Sequence, residues 1–144
     1  MPLINRVRII NFSYNNDARY ILDETFDFHG GENALLNLAN GGGKSVLVQL
    51  MLQPIVPRAK IQNRSIAEFF KKKRTPSYIL LEWKLDEKGG YLLTGIALAP
   101  VESRSAEDEE KSRIRLFCFF SRYSQSDGYD LSHIQLVRHE DGMI

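Results

Sequence analysis

Residues 36–45 read LNLANGGGKS, and this stretch decides the predicted fold because it joins three local patterns. A short apolar run from Ala34 to Leu38 predicts a buried strand. The glycine triplet after it allows a tight turn, because glycine has no Cβ to obstruct the backbone. From Lys44 to Gln53 the chain is apolar almost all round, which predicts a covered central helix that ends before Pro54.

The end of this string predicts a site for phosphate groups. Gly-Lys-Ser after a strand and before a helix is the core of a phosphate-binding loop. Successive backbone N–H groups converge on phosphate oxygens there, and the helix N-terminus adds partial positive charge. Lys44 would contact the terminal phosphates, and the hydroxyl of Ser45 would bind Mg²⁺. The predicted binding residues are Asn40, Gly41, Gly42, Gly43, Lys44, Ser45 and Val46.

Leu38 departs from the full pattern G-x-x-x-x-G-K-[ST], which has glycine at that position. The missing glycine affects how the chain leaves the strand. It has less effect on the later residues, which would surround the phosphates. It also leaves open a different class of function, in which a degenerate loop binds partner proteins and no nucleotide.

The flanking segments predict a small mixed domain. Residues 6–9 and 21–28 alternate with period two around a turn at Ser13 to Asp17, which indicates an antiparallel pair. Residues 78–85 and 91–99 form the clearest hairpin, and a further strand is expected over 114–120. A capping box predicts a helix from Ser65 to Arg74. We predict one domain over residues 1–144.

Composition excludes several classes of protein. Hydrophobic residues make up 43% of the chain and charged residues 26%, which is a globular mixture. The formal net charge is +1, so no overall field draws the chain to nucleic acid or membrane. No apolar run approaches the ~20 residues that span a bilayer. Cys118 is the single cysteine, which excludes an internal disulfide framework and favours a reducing cytoplasm.

Two parts of the sequence resemble one family. Asn40 to Ser45 resembles the N-G-x-G-K-S form of ABC-type ATPase heads. The opening is similar to the N-terminal lobe of SMC-type heads, which occur in condensins, cohesins, break-repair ATPases and their bacterial defence relatives. The similar features are Ile10-Asn11-Phe12, a strand ending in Phe26-Asp27-Phe28, a glycine turn and the loop. The resemblance covers residues 4–53.

The resemblance implies both a fold and a function. It implies an α/β P-loop NTPase half-domain, with a mixed sheet and an antiparallel β-hairpin layer around the central P-loop helix. The ligands would be ATP and Mg²⁺, and the process served would be DNA organisation, repair or defence. Such heads are split, so hydrolysis would require a second head and a C-terminal lobe carrying the signature motif and Walker B carboxylates. Residues 1–144 contain no L-S-G-G signature motif, so they are not expected to hydrolyse ATP on their own.

Glu82 and two glutamines are further candidates. Glu82 ends the run Tyr78 to Glu82, which is either a Walker B strand or an amphipathic hairpin strand with Glu82 on its wetter face. As a Walker B residue it would make the chain a compact P-loop kinase with a small-molecule acceptor. The family also uses a glutamine that contacts Mg²⁺ and the attacking water, for which Gln135 and Gln125 are the candidates.

The segment Arg58 to Arg74 contains seven cations against one acid, Glu68. One interpretation is contact with the DNA backbone, which is recognised through its phosphates. The other is a solvated face whose cations stabilise the C-terminal end of a helix. Both interpretations remain open from the sequence.

Overall fold

The computed structural model describes residues 1–37, 41, 43–70, 75–86, 89–101, 114–124, 130–138 and 140. Its elements in chain order are β1 (Leu3–Tyr14), β2 (Arg19–Asp27), α1 (Lys44–Leu52), a 3₁₀ helix (Ile66–Phe70), β3 (Ser77–Lys84), β4 (Tyr91–Pro100) and β5 (Ile114–Tyr123). Of the described helices, none is long and apolar enough to cross a membrane.

The strands form one five-stranded sheet in the order β2-β1-β3-β4-β5, and every pairing in it is antiparallel. The predicted α/β P-loop half-domain with a mixed sheet around a central helix is therefore wrong. A mixed sheet needs parallel neighbours linked by crossovers, whereas each pair of neighbouring strands here is antiparallel. α1 lies on one face of the sheet and is not its centre.

The strand predicted from Ala34 to Leu38 is also corrected. Residues 34–37 have no regular structure, and Leu38 lies outside the described residues. Leu35 is 95% exposed, so the run is not buried between layers. An apolar run of this kind occurs both in buried strands and in exposed segments, so its composition alone led to the wrong prediction.

The two faces of the sheet have different cores. Ile79 and Leu81 of β3 belong to the cluster that packs on α1, and Leu80 between them belongs to a second cluster on the opposite face. The α1 cluster contains Val7, Ile9, Phe12, Val46, Leu47, Leu50, Ile66, Phe69, Ile79, Leu81, Ile96 and Leu98. The opposite cluster contains Leu80, Leu93, Tyr123 and Leu131. Burial of the larger cluster is the main force that holds α1 to the sheet.

Asn11 changes which side chains of β1 face α1. Its backbone is left-handed, with φ of 64°. Val7 and Ile9 before it and Phe12 after it all enter the α1 cluster, so the alternation shifts by one residue at Asn11. Its side chain is buried and donates to the carbonyl oxygen of Pro76 at 2.8 Å. Asparagine tolerates this conformation better than most residues.

Most of the other predicted elements are confirmed. The β1–β2 pair, the β3–β4 hairpin, β5 and the helix beginning at Lys44 are all present. The helix predicted from Ser65 is instead the short 3₁₀ helix, and residues 71–74 lie outside the described part. One half of its capping box is present, because the Ser65 N–H donates to Glu68 Oε1 at 3.0 Å.

Candidate phosphate-binding site

The glycine loop meets α1 at Gly43, which is the residue directly before the helix. Gly41 and Gly43 both have left-handed backbones, with φ of 78° and 93°. The first helical hydrogen bond runs from the N–H of Leu47 to the carbonyl oxygen of Gly43 at 2.8 Å. The chain therefore turns sharply into the helix at a residue that glycine alone occupies without strain.

A Cβ at Gly43 would also meet the ring of Tyr14. The built Cβ position lies 3.1 Å from both Cζ and Oη of Tyr14. Tyr14 is half-buried against the α1 cluster, so its ring is a wall beside the loop. At Gly41 nothing lies within 4 Å of the same built position. Asn15 donates from Nδ2 to the Gly41 carbonyl oxygen at 3.4 Å, a long hydrogen bond that ties the β1–β2 turn to the loop.

The first turn of α1 presents hydrogen-bond donors. Because the helix begins at Lys44, the backbone N–H groups of Lys44, Ser45 and Val46 have no acceptor inside it. No acidic side chain lies in this turn, and among the described residues no side chain caps it. The partial positive charge of the helix N-terminus is therefore not offset by a residue of the first turn.

The structure brings together the described members of the predicted binding set. Lys44 and Ser45 are exposed at the start of α1, and Val46 is buried in the core below them. Asn40 and Gly42 lie outside the described residues. The buried Val46 fixes the first turn to the sheet, and the two polar side chains lie at the surface.

A cavity of about 260 Å³ adjoins the loop, because Tyr14 borders both. Its other lining residues come from the β1–β2 turn and from the segment around the 3₁₀ helix, and Arg64 is the one cation among them. The Nε of Arg64 is buried and has no hydrogen-bond partner among the described residues. Its guanidinium lies 6.0 Å from the centre of the Phe69 ring.

The two acids that border this cavity are already bound to neighbours. Asp17 accepts from the hydroxyl of Ser13, and Glu68 accepts from the Ser65 N–H. From the sequence, Arg64 was predicted only as one cation of the basic segment, and Tyr14 had no predicted role. No local signal could have found either one, because only the tertiary fold places them beside the loop.

Two glutamines, one in α1 and one directly after its last residue, hold the segment that carries Arg64. Gln49 and Gln53 are fully buried, although the helix was predicted to be apolar almost all round. Gln49 Nε2 donates to the Arg64 carbonyl oxygen at 2.8 Å. Gln53 Nε2 donates to the carbonyl oxygen of Ala59 at 2.9 Å. The helix that begins at the glycine loop therefore also fixes the path of residues 58–64.

Glu82 lies on the face of the sheet away from α1. It alternates with Leu81, which packs on α1, and its side chain is only 1% exposed. Arg6 forms two contacts with it, from Nε to Oε1 at 2.7 Å and from Nη2 to Oε2 at 2.8 Å. Asn5 Nδ2 donates to Oε1 at 2.6 Å, and the hydroxyl of Tyr123 donates to Oε2. Glu82 is therefore neither on a wet face nor beside the loop.

Burial and hydrogen bonding have opposite effects on the Glu82 carboxyl. Burial raises its pKa, but the hydrogen bonds from Arg6, Tyr123 and Asn5 outweigh burial and hold the pKa below its ordinary value. Burial, followed by the bond to Glu82, raises the pKa of Tyr123 far above its ordinary value. The group is an ionised carboxylate with all its lone pairs engaged, and such a carboxylate has no oxygen to offer a metal ion.

Gln135 is exposed, and its neighbours Ile134 and Leu136 pack on the opposite cluster, away from α1. Gln125 lies outside the described residues. Among the described residues no group of three or more His, Cys, Asp and Glu could hold a metal ion. Of the basic segment, Arg58 and Lys60 are exposed, while Lys71, Lys72, Lys73 and Arg74 lie outside the described part.

No model of a known protein family matches the chain, and no curated protein is significantly similar to it in sequence.

Proposed function

We propose that the glycine loop and the N-terminus of α1 bind the phosphates of ATP·Mg²⁺. The observation that carries the proposal is the left-handed Gly43 directly before a helix whose first turn contains no acid. The N–H groups of Ser45 and Val46 have no acceptor inside the helix, and a helix N-terminus of this kind readily binds a phosphate group. Lys44 adds a full positive charge at the same end of the helix.

Mg²⁺ fits this site only together with the phosphates. Ser45 is the one residue of the predicted set that carries a neutral oxygen ligand in its side chain and is described in the structure. Mg²⁺ takes few protein ligands and shares substrate phosphates. We therefore infer that the Ser45 hydroxyl and the phosphate oxygens hold the ion, and that any carboxylate comes from outside the first turn of α1.

The wider proposal is that the chain is the N-terminal nucleotide-binding lobe of an SMC-like ATPase that serves DNA organisation, repair or defence. Its support is the sequence strings Ile10-Asn11-Phe12 and Asn40 to Ser45. Hydrolysis would need carboxylates and a signature motif from a C-terminal lobe and a second head. Glu82 does not supply this function, because four hydrogen bonds already engage its oxygens.

No described contact favours the compact kinase. That function needs Glu82 beside Mg²⁺ and the loop, and Glu82 faces the other side of the sheet. The partner-binding module without nucleotide remains the competing outcome of the binding experiment.

Calorimetric titration with ATP·Mg²⁺ tests the proposal. We expect weak binding to the wild type, because the helix amides and one lysine supply only part of a nucleotide site. Lys44→Ala should weaken it about tenfold or more, since a hydrogen bond to a charged group contributes roughly 1.5–3 kcal/mol. Lys84→Ala is the matched control, because Lys84 is an exposed lysine at the end of β3, away from the helix start, and it should leave the affinity unchanged.

Equal affinities for the wild type and Lys44→Ala would contradict the proposal. Absence of any binding to either protein would instead favour the partner-binding module. We also expect the protein to hydrolyse ATP no faster than buffer alone. Turnover by the wild type that disappears in Glu82→Gln, under conditions where this variant is folded, would show that the assignment of Glu82 is wrong.

A further inference from the structure

A second and larger cavity, of about 630 Å³, lies on the α1 face at the ends of β4 and β5. One wall is the segment that follows α1, and the other wall is formed by the end of β4 and the start of β5. Its lining residues are Arg58, Lys60, Ser65, Ile66, Ala67, Val101, Ile114, Arg115 and Leu116. Its volume is within the range of about 300–1,000 Å³ that is typical of ligand pockets.

The charged side chains among the described lining residues all have the same sign. Arg58, Lys60 and Arg115 line the cavity, and none of the described residues that line it is an acid. Within the described part of the chain, none of these three cations forms an ion pair. Three cations around one concavity attract an anionic ligand and raise its local concentration.

The floor of the cavity is apolar. Ile66 is only 2% exposed, Ile114 and Leu116 pack against the α1 cluster, and Val101 is 38% exposed. This floor distinguishes between anionic ligands. A nucleic-acid backbone offers phosphates but no apolar group to fill such a floor. An acidic peptide offers carboxylates together with an apolar side chain.

The cationic wall is held in place by α1. The backbone N–H of Arg58, whose φ is 66°, donates to Gln53 Oε1 at 3.0 Å. Gln53 also holds Ala59, and its side chain is fully buried. Arg58 and Lys60 therefore start from a fixed backbone, which lowers the entropy lost when a ligand binds.

We propose that this cavity binds an acidic peptide segment of a partner protein, with an apolar side chain of the peptide on the floor and its carboxylates on Arg58, Lys60 and Arg115. The proposal does not depend on nucleotide binding, because the residues that line the cavity are not those of the glycine loop.

Fluorescence anisotropy with the labelled peptide Glu-Asp-Glu-Leu-Phe-Glu-Asp-Glu tests this proposal. We expect the combined variant Arg58→Ala, Lys60→Ala and Arg115→Ala to bind about tenfold more weakly, because each exposed ion pair contributes about twofold. Arg19→Ala is the control for charge, since Arg19 is an exposed arginine at the start of β2, and it should bind as the wild type does.

The apolar floor has its own pair of variants. Val101→Ser should weaken peptide binding about twofold, because less apolar surface is removed from water. Val48→Ser is the matched control, since Val48 is 53% exposed on α1 and does not line the cavity. A peptide with Ser-Ser in place of Leu-Phe should bind more weakly than the original peptide.

Three outcomes would overturn the proposal. The first is equal binding of the Leu-Phe and Ser-Ser peptides to the wild type. The second is duplex DNA that binds more tightly than the peptide and depends on the same three cations, which would make the cavity part of a DNA contact. The third is that the peptide binds only after neutral residues replace Glu107, Asp108, Glu109 and Glu110. This result would mean that an acidic stretch of this chain competes with the peptide for the cavity.

Discussion

The Glu82 network and the start of α1 lie on opposite faces of the same sheet, and they satisfy their polar groups in opposite ways. In the network, the carboxylate of Glu82 is 1% exposed and accepts from Arg6, Asn5 and Tyr123. At the start of α1, two left-handed glycines lead into a turn whose N–H groups have no acceptor within the helix and no acidic neighbour in the turn.

This difference shows which region is suited to a ligand. A buried carboxylate among groups with shifted pKa values is often a sign of an active site, but structural ion-pair networks shift pKa values in the same way. The two cases differ in how many hydrogen-bond donors and acceptors are not engaged within the protein. Glu82 has its lone pairs engaged within the protein, so we assign it to stability. The N–H groups at the helix start have no acceptor within the helix, so we propose that this region binds the ligand.

The largest expected effect comes from Glu82→Gln. The substitution leaves Arg6, whose side chain is 24% exposed, without its carboxylate. Breaking a buried pair costs roughly 3–5 kcal/mol, and the partial exposure of Arg6 reduces this to about 2–4 kcal/mol in the free energy of unfolding. Urea denaturation measures the loss. Glu24→Gln, at an exposed position on β2, is the control.

Under conditions where Glu82→Gln is folded, its affinity for ATP·Mg²⁺ should equal that of the wild type. A variant with unchanged stability and lost nucleotide binding would reverse the roles that we assign to the two regions.

The second prediction concerns acid. The folded pKa of Glu82 is below its ordinary value of 4.5, so its contribution to stability is complete above pH 4.5 and is lost as the pH falls toward the lower folded value. The stability difference between the wild type and Glu82→Gln should therefore shrink as the pH is lowered through this window. A stability difference that stays constant from neutral to acidic pH would contradict the stabilising role assigned to the Glu82 network.

The third prediction compares the two glycines. Gly41→Ala forces a left-handed backbone on alanine, which costs about 1–2 kcal/mol of stability. Gly43→Ala carries the same strain and also places a Cβ 3.1 Å from Tyr14, so its loss should be larger. Thermal unfolding of both variants, with and without Tyr14→Ala, measures the difference. If Tyr14→Ala does not bring the two losses closer together, the ring is not the wall that we describe.

The smallest effect is expected from Arg64→Gln, measured as affinity for ATP·Mg²⁺. Arg64 borders the cavity next to the loop, and its buried Nε lacks a partner among the described residues. Its contact with phosphate would be partly solvated, which predicts about threefold weaker binding. Arg19→Gln is the control. An affinity unchanged by Arg64→Gln would limit the site to the loop and the first turn of α1.

Local patterns predicted the parts of the fold that local physics decides. The alternation around Ile79 and Leu81 correctly predicted a strand. The polar stretch from Ser13 to Asp17 predicted a turn, which the structure has slightly later, at Asn15 to Ala18 between β1 and β2. The start of α1 at Lys44 followed from the glycines and the apolar run after them. In each case the signal and the structure lie within the same few residues.

The errors concern partners distant in sequence. Ala34 to Leu38 has the composition of a buried strand, but its burial depends on neighbours that the sequence does not show. For Glu82 the alternation of the strand was predicted correctly, but the wetter face expected for a hairpin strand was not found. The reason is that Glu82 is buried against Arg6, which lies 76 residues away in the sequence. Gln49 and Gln53 are buried for the same reason, since their acceptors lie on the following segment.

Backbone ¹⁵N–¹H spectroscopy of the assigned protein, titrated with ATP·Mg²⁺, tests the central claim most directly. We predict that the amide signals of Gly43, Lys44, Ser45 and Val46 shift on titration, because their N–H groups would donate to phosphate oxygens. The signals of Glu82 and Tyr123 should stay in place. Shifts that occur around Glu82 and leave the start of α1 unchanged would contradict the account.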